Sequence, residues 1–208
     1  MMTSCKSSAP AVHRSGTLAG NEKVLLLPFQ NMAWLNGENV VVRSPLTGKV
    51  FMTGPVAEEA PRLLTDLLIS ALHQHTAFQT VPSREAPSIR DALQAASGSQ
   101  TPPVAVLART GRMVKADFVI QGYVYRFKER VGADYSAESP ASVAFGVHFV
   151  DCREQTVVWS GYLDETQQAL SEDLRYLGTF FRRGARWVTA EEMAREAMDA
   201  MFKEFTHP

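Results

Sequence analysis

Little in this 208-residue chain advertises chemistry. It holds only two cysteines, Cys5 and Cys152. One lies in a polar tail and the other in a turn-like Asp151-Cys152-Arg153, so neither a disulfide scaffold nor a paired zinc-site spacing is present. No apolar run approaches the ~20 residues of a membrane-spanning helix, and the body is expected to be soluble. Charge of one sign is also scarce. The 21 Lys and Arg residues offset 22 Asp and Glu, leaving a net charge of −1, without the basic excess of a nucleic-acid-binding module. No Gly-x-Gly-x-x-Gly follows a strand, Gly48-Lys49 lacks the rest of a phosphate loop, and neither His-Glu-x-x-His nor Gly-x-Ser-x-Gly occurs. His73 and His75 stand two apart, so on a helix they diverge by about 200° and cannot share one metal unless the helix ends there. They read as exposed residues at a fraying helix end. No cofactor and no metal are expected, and the chain reads as a non-enzyme.

What is present is enough for a core. Apolar residues make up 45% and charged residues 21%, near globular averages. The run Lys23-Val24-Leu25-Leu26-Leu27-Pro28-Phe29 reads as a strand buried on both faces and ended by Pro28. Val40 to Arg43 and Lys49 to Met52 flank Ser44-Pro45-Leu46-Thr47-Gly48, the pattern of a β-hairpin that decorates the domain. From Val56 to His75, apolar residues at Ala60, Leu63, Leu64, Leu67, Leu68, Ala71 and Leu72 mark one helix face. Phe78 to Val81 reads as a short strand. Helices are expected over Ser88 to Ala96 and Val104 to Met113, with Val106, Leu107 and Met113 sharing a face.

Three strands in series follow: Asp117 to Lys128, Ser142 to Val150 and Thr156 to Leu163, with a polar loop from Gly132 to Pro140. In the middle strand Val143, Phe145, Val147 and Phe149 alternate with Ser142, Ala144, Gly146 and His148, predicting one buried face and one surface face. A helix over Glu172 to Arg182 and a last one behind the capping box Thr189-Ala190-Glu191-Glu192 complete the chain. The stripe Met193, Ala194, Ala197, Met198, Met201 and Phe205 is expected to pack on the sheet. The predicted fold is therefore α/β (α+β): a mixed sheet of about five strands with a C-terminal antiparallel meander, helices packed on it and an inserted hairpin. Residues 1–20 read as a flexible tail and 21–208 as a single domain.

The tail carries one motif. Met2-Thr3-Ser4-Cys5 fits the end of a bacterial lipoprotein signal at Thr3, Ser4 and Cys5 and fits poorly at Met2, and the apolar segment that should precede it is not in the chain. Two readings stand: Cys5 receives a lipid and the segment to about Gly20 is its tether, or Cys5 is incidental in an ordinary tail. Candidate partner-binding residues are Arg182, Arg183 and Arg186 beside Phe180, Phe181 and Trp187, and the loop residue Trp34, since Arg and large aromatics dominate interface hot spots. The bland alternative buries these aromatics and leaves the arginines solvated.

Several segments carry a family resemblance. Val24-Leu25-Leu26-Leu27-Pro28-Phe29-Gln30-Asn31, the Leu-rich helix leading into Phe78-Gln79-Thr80-Val81-Pro82, Ala116-Asp117-Phe118-Val119-Ile120-Gln121-Gly122-Tyr123-Val124, and Val157-Val158-Trp159-Ser160-Gly161 resemble the curli-secretion-channel and penicillin-binding-protein-activator lipoproteins. The fold of that family is similar to the amino-terminal domain of the TolB translocation protein. The resemblance spans about residues 23–205 and implies a periplasmic protein, anchored to the outer membrane by a lipid on Cys5, that binds other envelope proteins instead of catalysing a reaction. Lys6 is not the Asp associated with inner-membrane retention. The hairpin around Pro45 departs from the family. This localisation requires a start upstream of Met1; otherwise the chain is expected to be cytoplasmic. The competing hypothesis is a cytoplasmic enzyme or small-ligand-binding domain, with Asp117, His148 and Tyr123 as the residues to inspect.

Overall fold

A computed structural model describes residues 10–16, 18, 21–97, 101–133, 136–166, 188–203 and 205. Its centre is a six-stranded mixed sheet in the order β1-β10-β9-β6-β2-β5. The strands are β1 (Ala11–Arg14), β2 (Lys23–Asn31), β5 (Gln79–Thr80), β6 (Phe118–Lys128), β9 (Ser142–Asp151) and β10 (Thr156–Thr166). β2 runs parallel to both β5 and β6, whereas β6, β9, β10 and β1 pair antiparallel in turn. Parallel neighbours need long crossovers. These are supplied by α2 (Ala60–His75) between β2 and β5, and by α3 (Ala86–Ser97) and α4 (Pro103–Met113) between β5 and β6. The expected mixed sheet with a C-terminal meander is thus present, with one strand more than anticipated.

That extra strand is β1. Its residues lie in the stretch expected to be tether, yet Ala11 to Arg14 pair with Tyr162 to Trp159. A four-residue edge strand has too few positions to display a period, and its stability comes from the neighbour it completes.

The two sheet faces are covered differently. On one face α2 and α5 (Ala190–Lys203) bury a continuous apolar cluster that includes Leu64, Leu68, Phe145, Phe149, Trp159, Met198, Met201 and Phe202. α2 starts at Ala60 instead of Val56, because Pro61 occupies its first turn and is best tolerated there. Residues 55–57 run alongside the end of β6: Phe127 N–H donates to the Pro55 carbonyl and Ala57 N–H to the Phe127 carbonyl. The capping box of α5 forms as expected. Glu192 N–H donates to Thr189 Oγ1 (3.1 Å) and Thr189 N–H to Glu192 Oε2 (2.9 Å). His75 is not the exposed residue anticipated; it joins α2 to α5 through Asp199 at 2.6 Å, with a side chain only 8% exposed.

The other face carries α3 and α4 at one end, where Gly111 lets α4 approach Cys152 and Val119 more closely than any Cβ would permit. Met113 does not join that packing and is exposed. Pro28 does not end β2. The strand passes through it with a register shift between Leu27 and Gln30, at a point where β5 no longer pairs, so the missing N–H breaks no ladder. Buried Gln121 fills the irregularity, donating to the Pro28 carbonyl (3.1 Å) and accepting from Arg90 (3.3 Å). The stretch expected to be a polar loop instead holds a two-stranded ribbon of β7 (Val131–Ala133) and β8 (Ser136–Ser139).

Candidate functional site at the inserted hairpin

The hairpin between β2 and α2 consists of β3 (Val41–Arg43) and β4 (Val50–Met52), paired Val41 with Met52, Val42 with Phe51 and Arg43 with Val50. Its turn closes through Ser44 N–H to the Lys49 carbonyl (2.7 Å) and Gly48 N–H to the Ser44 carbonyl (2.9 Å), with Gly48 at φ +71°. Ahead of it stands a short helix, α1 (Met32–Asn36). Asn31 caps it, its Oδ1 accepting from the amides of Ala33 and Trp34, and Gly37 at φ +96° closes it. The Asn-to-Gly bracket is a helix signal, so Trp34 sits on a helix instead of the loop expected. Buried Thr53 joins the two pieces: its hydroxyl donates to the Gly37 carbonyl (2.8 Å) and accepts from Val40 N–H (3.1 Å).

Alternation gives the hairpin two faces. Val42 and Phe51 point inward, and the Phe51 ring stacks on Tyr125 at 4.0 Å between centroids and 8° between planes. Arg126 clamps the open end, donating to the Met52 carbonyl (3.0 Å) and to Asp164 (2.8 Å). The hairpin therefore covers the small-residue face of β9 expected at the surface, and all of Ser142 to Val150 is buried. That cover encloses His148. Its Nδ1 lies 2.8 Å from Ser160 Oγ and its Nε2 3.4 Å from Ser44 Oγ, with the rings of Tyr123 and Tyr162 at 5.8 and 5.4 Å. Burial pulls the imidazole down to about 3 and raises the Tyr123 and Tyr125 phenols. A histidine so reluctant to take a proton is a poor general base, and this arrangement organises the seam beneath the hairpin.

Asp117 is elsewhere. Just before β6 its Oδ2 accepts from Lys23 N–H (2.9 Å), and its carbonyl accepts from Cys152 N–H (2.9 Å). Thus Tyr123 and His148 meet while Asp117 does not join them, and the trio forms no common site. Cys152 is buried, its thiol pushed up to about 12 chiefly by burial.

The outward surface is the less usual one. Large apolar side chains exposed among the described residues are Trp34, Leu35, Val40, Val41, Val50, Met52, Met113 and Val131. All but the last two belong to α1 and the hairpin, so this segment alone concentrates apolar surface in water. Trp34 is 65% exposed and Leu35 67%. Sequence reasoning found Trp34 and missed Leu35, Val41, Val50 and Met52. The available signal was that β3 and β4 are apolar at both parities, which leaves one parity without a core to enter. Cys5, Arg182, Arg183 and Arg186 lie outside the described residues.

No family model matches the sequence, and no curated protein matches it. Solved structures do. The PelC dodecamer from Paraburkholderia phytofirmans is 12% identical, with 96% of this chain and 97% of that chain covered and a TM-score of 0.53. A point variant of the same dodecamer, in a second crystal form, is also 12% identical, with 95% of this chain and 98% of that chain covered and a TM-score of 0.54. The C-terminal domain of LpoB from Salmonella enterica gives 15% identity over 74% of this chain and 88% of that chain, with a TM-score of 0.41. What this chain has in common with PelC is the fold, end to end.

Proposed function

We propose that this protein is a non-catalytic lipoprotein of the bacterial cell envelope, periplasmic and anchored to the outer membrane through Cys5, that works by assembling with other proteins. The first partner we assign is a second copy of the same chain, docked through Trp34 and the outer face of the hairpin. The concentration of exposed apolar side chains on α1, β3 and β4 carries this reading. The fold shared with a protein crystallised as a dodecamer supports it, as does the resemblance to envelope lipoproteins. Arg182, Arg183 and Arg186 are assigned to a separate contact with an envelope protein.

Because β1 begins at Ala11, five residues separate a lipid on Cys5 from the sheet. At ~3.4 Å per residue they reach at most roughly 17 Å, which would hold the domain close to the bilayer.

Two measurements test the proposal. Expressed from its own locus with its upstream DNA, the protein should incorporate an alkyne palmitate, and Cys5→Ser should abolish the label; an unlabelled wild type overturns the anchor. In light scattering, the purified body should form a multimer that Trp34→Ser with Val41→Thr and Met52→Thr reduces to a monomer. Surface changes of this kind alter stability by no more than about 0.5 kcal/mol. A wild type that stays monomeric at high micromolar concentration removes the self-assembly reading.

A further inference from the structure

Beside the hairpin turn, where it leans over β1 and β10, lies an open cleft of ≈ 450 Å³. That is within the range of small-ligand sites. His13 and Ser15 on one side and Thr47 and Lys49 on the other face each other across a floor of Ser160 and Tyr162. The hydrogen-bond donors left over lie on the hairpin side, at Thr47 and Lys49, while Ser15 opposite them keeps only lone pairs. Tyr162 donates its phenolic hydrogen to Thr47 Oγ1 (2.8 Å), which leaves the Thr47 hydroxyl hydrogen free to donate outward. Ser15 spends its own hydrogen on the Val157 carbonyl (2.8 Å). Lys49 brings three N–H donors and no acceptor. Its ammonium sits 4.2 Å from the centre of the Tyr162 ring and 5.7 Å from that of Phe51. No carboxylate pairs with it among the described residues.

We propose that this cleft binds the oxyanion of a small ligand, a phosphoryl or carboxylate group, held by the Lys49 ammonium and the Thr47 hydroxyl with His13 at its rim. An exposed ammonium over an aromatic face gains a modest attraction from the contact, which favours this position before the ligand arrives and lessens the side-chain freedom lost on binding. Partial desolvation already lowers the Lys49 pKa, while Asp164 opposes that shift. Asp164 is itself engaged by Arg126 at 2.8 Å, which offsets its repulsion of an incoming anion. The site is independent of the self-assembly proposed above: it uses the turn and the inner edge of the hairpin, not Val41, Met52 or Trp34.

The test is a titration of the isotope-labelled full chain with inorganic phosphate and, separately, acetate, following amide shifts by NMR. Saturable shifts at Thr47, Lys49 and Ser160 are expected, with a dissociation constant of about 1 mM for such fragments. The stronger of the two probes identifies the group. Lys49→Met should weaken binding at least tenfold and Thr47→Val severalfold, while Lys115→Met, which removes the same charge from an exposed loop, should change it less than twofold. Unchanged amide dispersion will show that each variant is folded. Non-saturable shifts in the wild type, or equal losses in Lys49→Met and Lys115→Met, overturn the proposal. Multimer formation is scored in the same samples, so failure here is distinguishable from failure of self-assembly.

Discussion

The two faces of the sheet solve one burial problem with different materials. The face under α2 and α5 is dry: Phe149 alone has the rings of Phe78, Trp159, Phe202 and Phe205 at centroid distances of 5.2 to 6.2 Å. The face under the hairpin is polar and aromatic, with Tyr123, Tyr125, Tyr162, His148, Ser44 and Ser160 all buried. A helix brings a whole stripe of side chains and needs no partner beyond the sheet. A two-stranded ribbon can bury only alternate residues, here Val42 and Phe51, and turns the others outward. The apolar outer surface is thus a consequence of covering a sheet with a ribbon whose outer positions are also apolar, a choice that the packing of the domain does not require.

Three substitutions sharpen this contrast, and the largest effect belongs to the dry face. Phe149→Ala should cost about 3–5 kcal/mol in urea denaturation, because the hole it leaves is lined by rigid rings. Phe51→Ala should cost less, about 2 kcal/mol, since a ribbon that loses its anchor can open locally before the sheet unfolds. Hydrogen exchange would resolve this: amides of β3 and β4 should speed up while those of β6 and β9 stay protected. Equal losses of protection throughout would show that the hairpin is an integral part of the core.

A third effect, of the same size as that of Phe51→Ala, is tied to pH. His148 titrates near 3 when folded, against 6.5 for an unburied imidazole. Between those values the unfolded chain holds the extra proton, so stability is complete above about pH 6.5 and falls as the solution is acidified towards 3. One proton corresponds to ~1.4 kcal/mol per pH unit. The wild type should therefore lose about 2 kcal/mol more than His148→Gln between roughly pH 6 and 4.5. Parallel curves for the two proteins would mean that the seam admits water and that the polar face is less closed than its geometry implies.

Legibility followed the length of the pattern. The face of α2 from Leu64 to Leu72, the alternation of β9 from Val143 to Phe149, and the Thr189–Glu192 box could be read directly, since each repeats or reciprocates within a few residues. β1 and α1 were missed because four or five residues carry no period. His148 reads from the sequence as a satisfied or surface-facing residue because its strand shows one apolar parity, and nothing local announces that a ribbon about a hundred residues earlier will cover the other. The candidate site was half legible for the same reason. Trp34 drew notice as an aromatic in a turn-rich stretch, whereas Lys49 and Thr47 acquire meaning only against His13, Ser15 and Tyr162, which come from other places in the chain.

Composition and periodicity by themselves determined the class of this protein: helices with one apolar stripe and strands with enough β-branched and aromatic residues to form a mixed sheet. Those are properties of neighbours along the chain, where the spacing of side chains decides which face becomes apolar. Only the tertiary structure decided which faces are covered and by what, that β1 completes the sheet, that His148 is sealed, and that Lys49 stands over a ring at the edge of a cleft. Burial and electrostatics depend on distances in space, and no local rule relates residue 49 to residue 162.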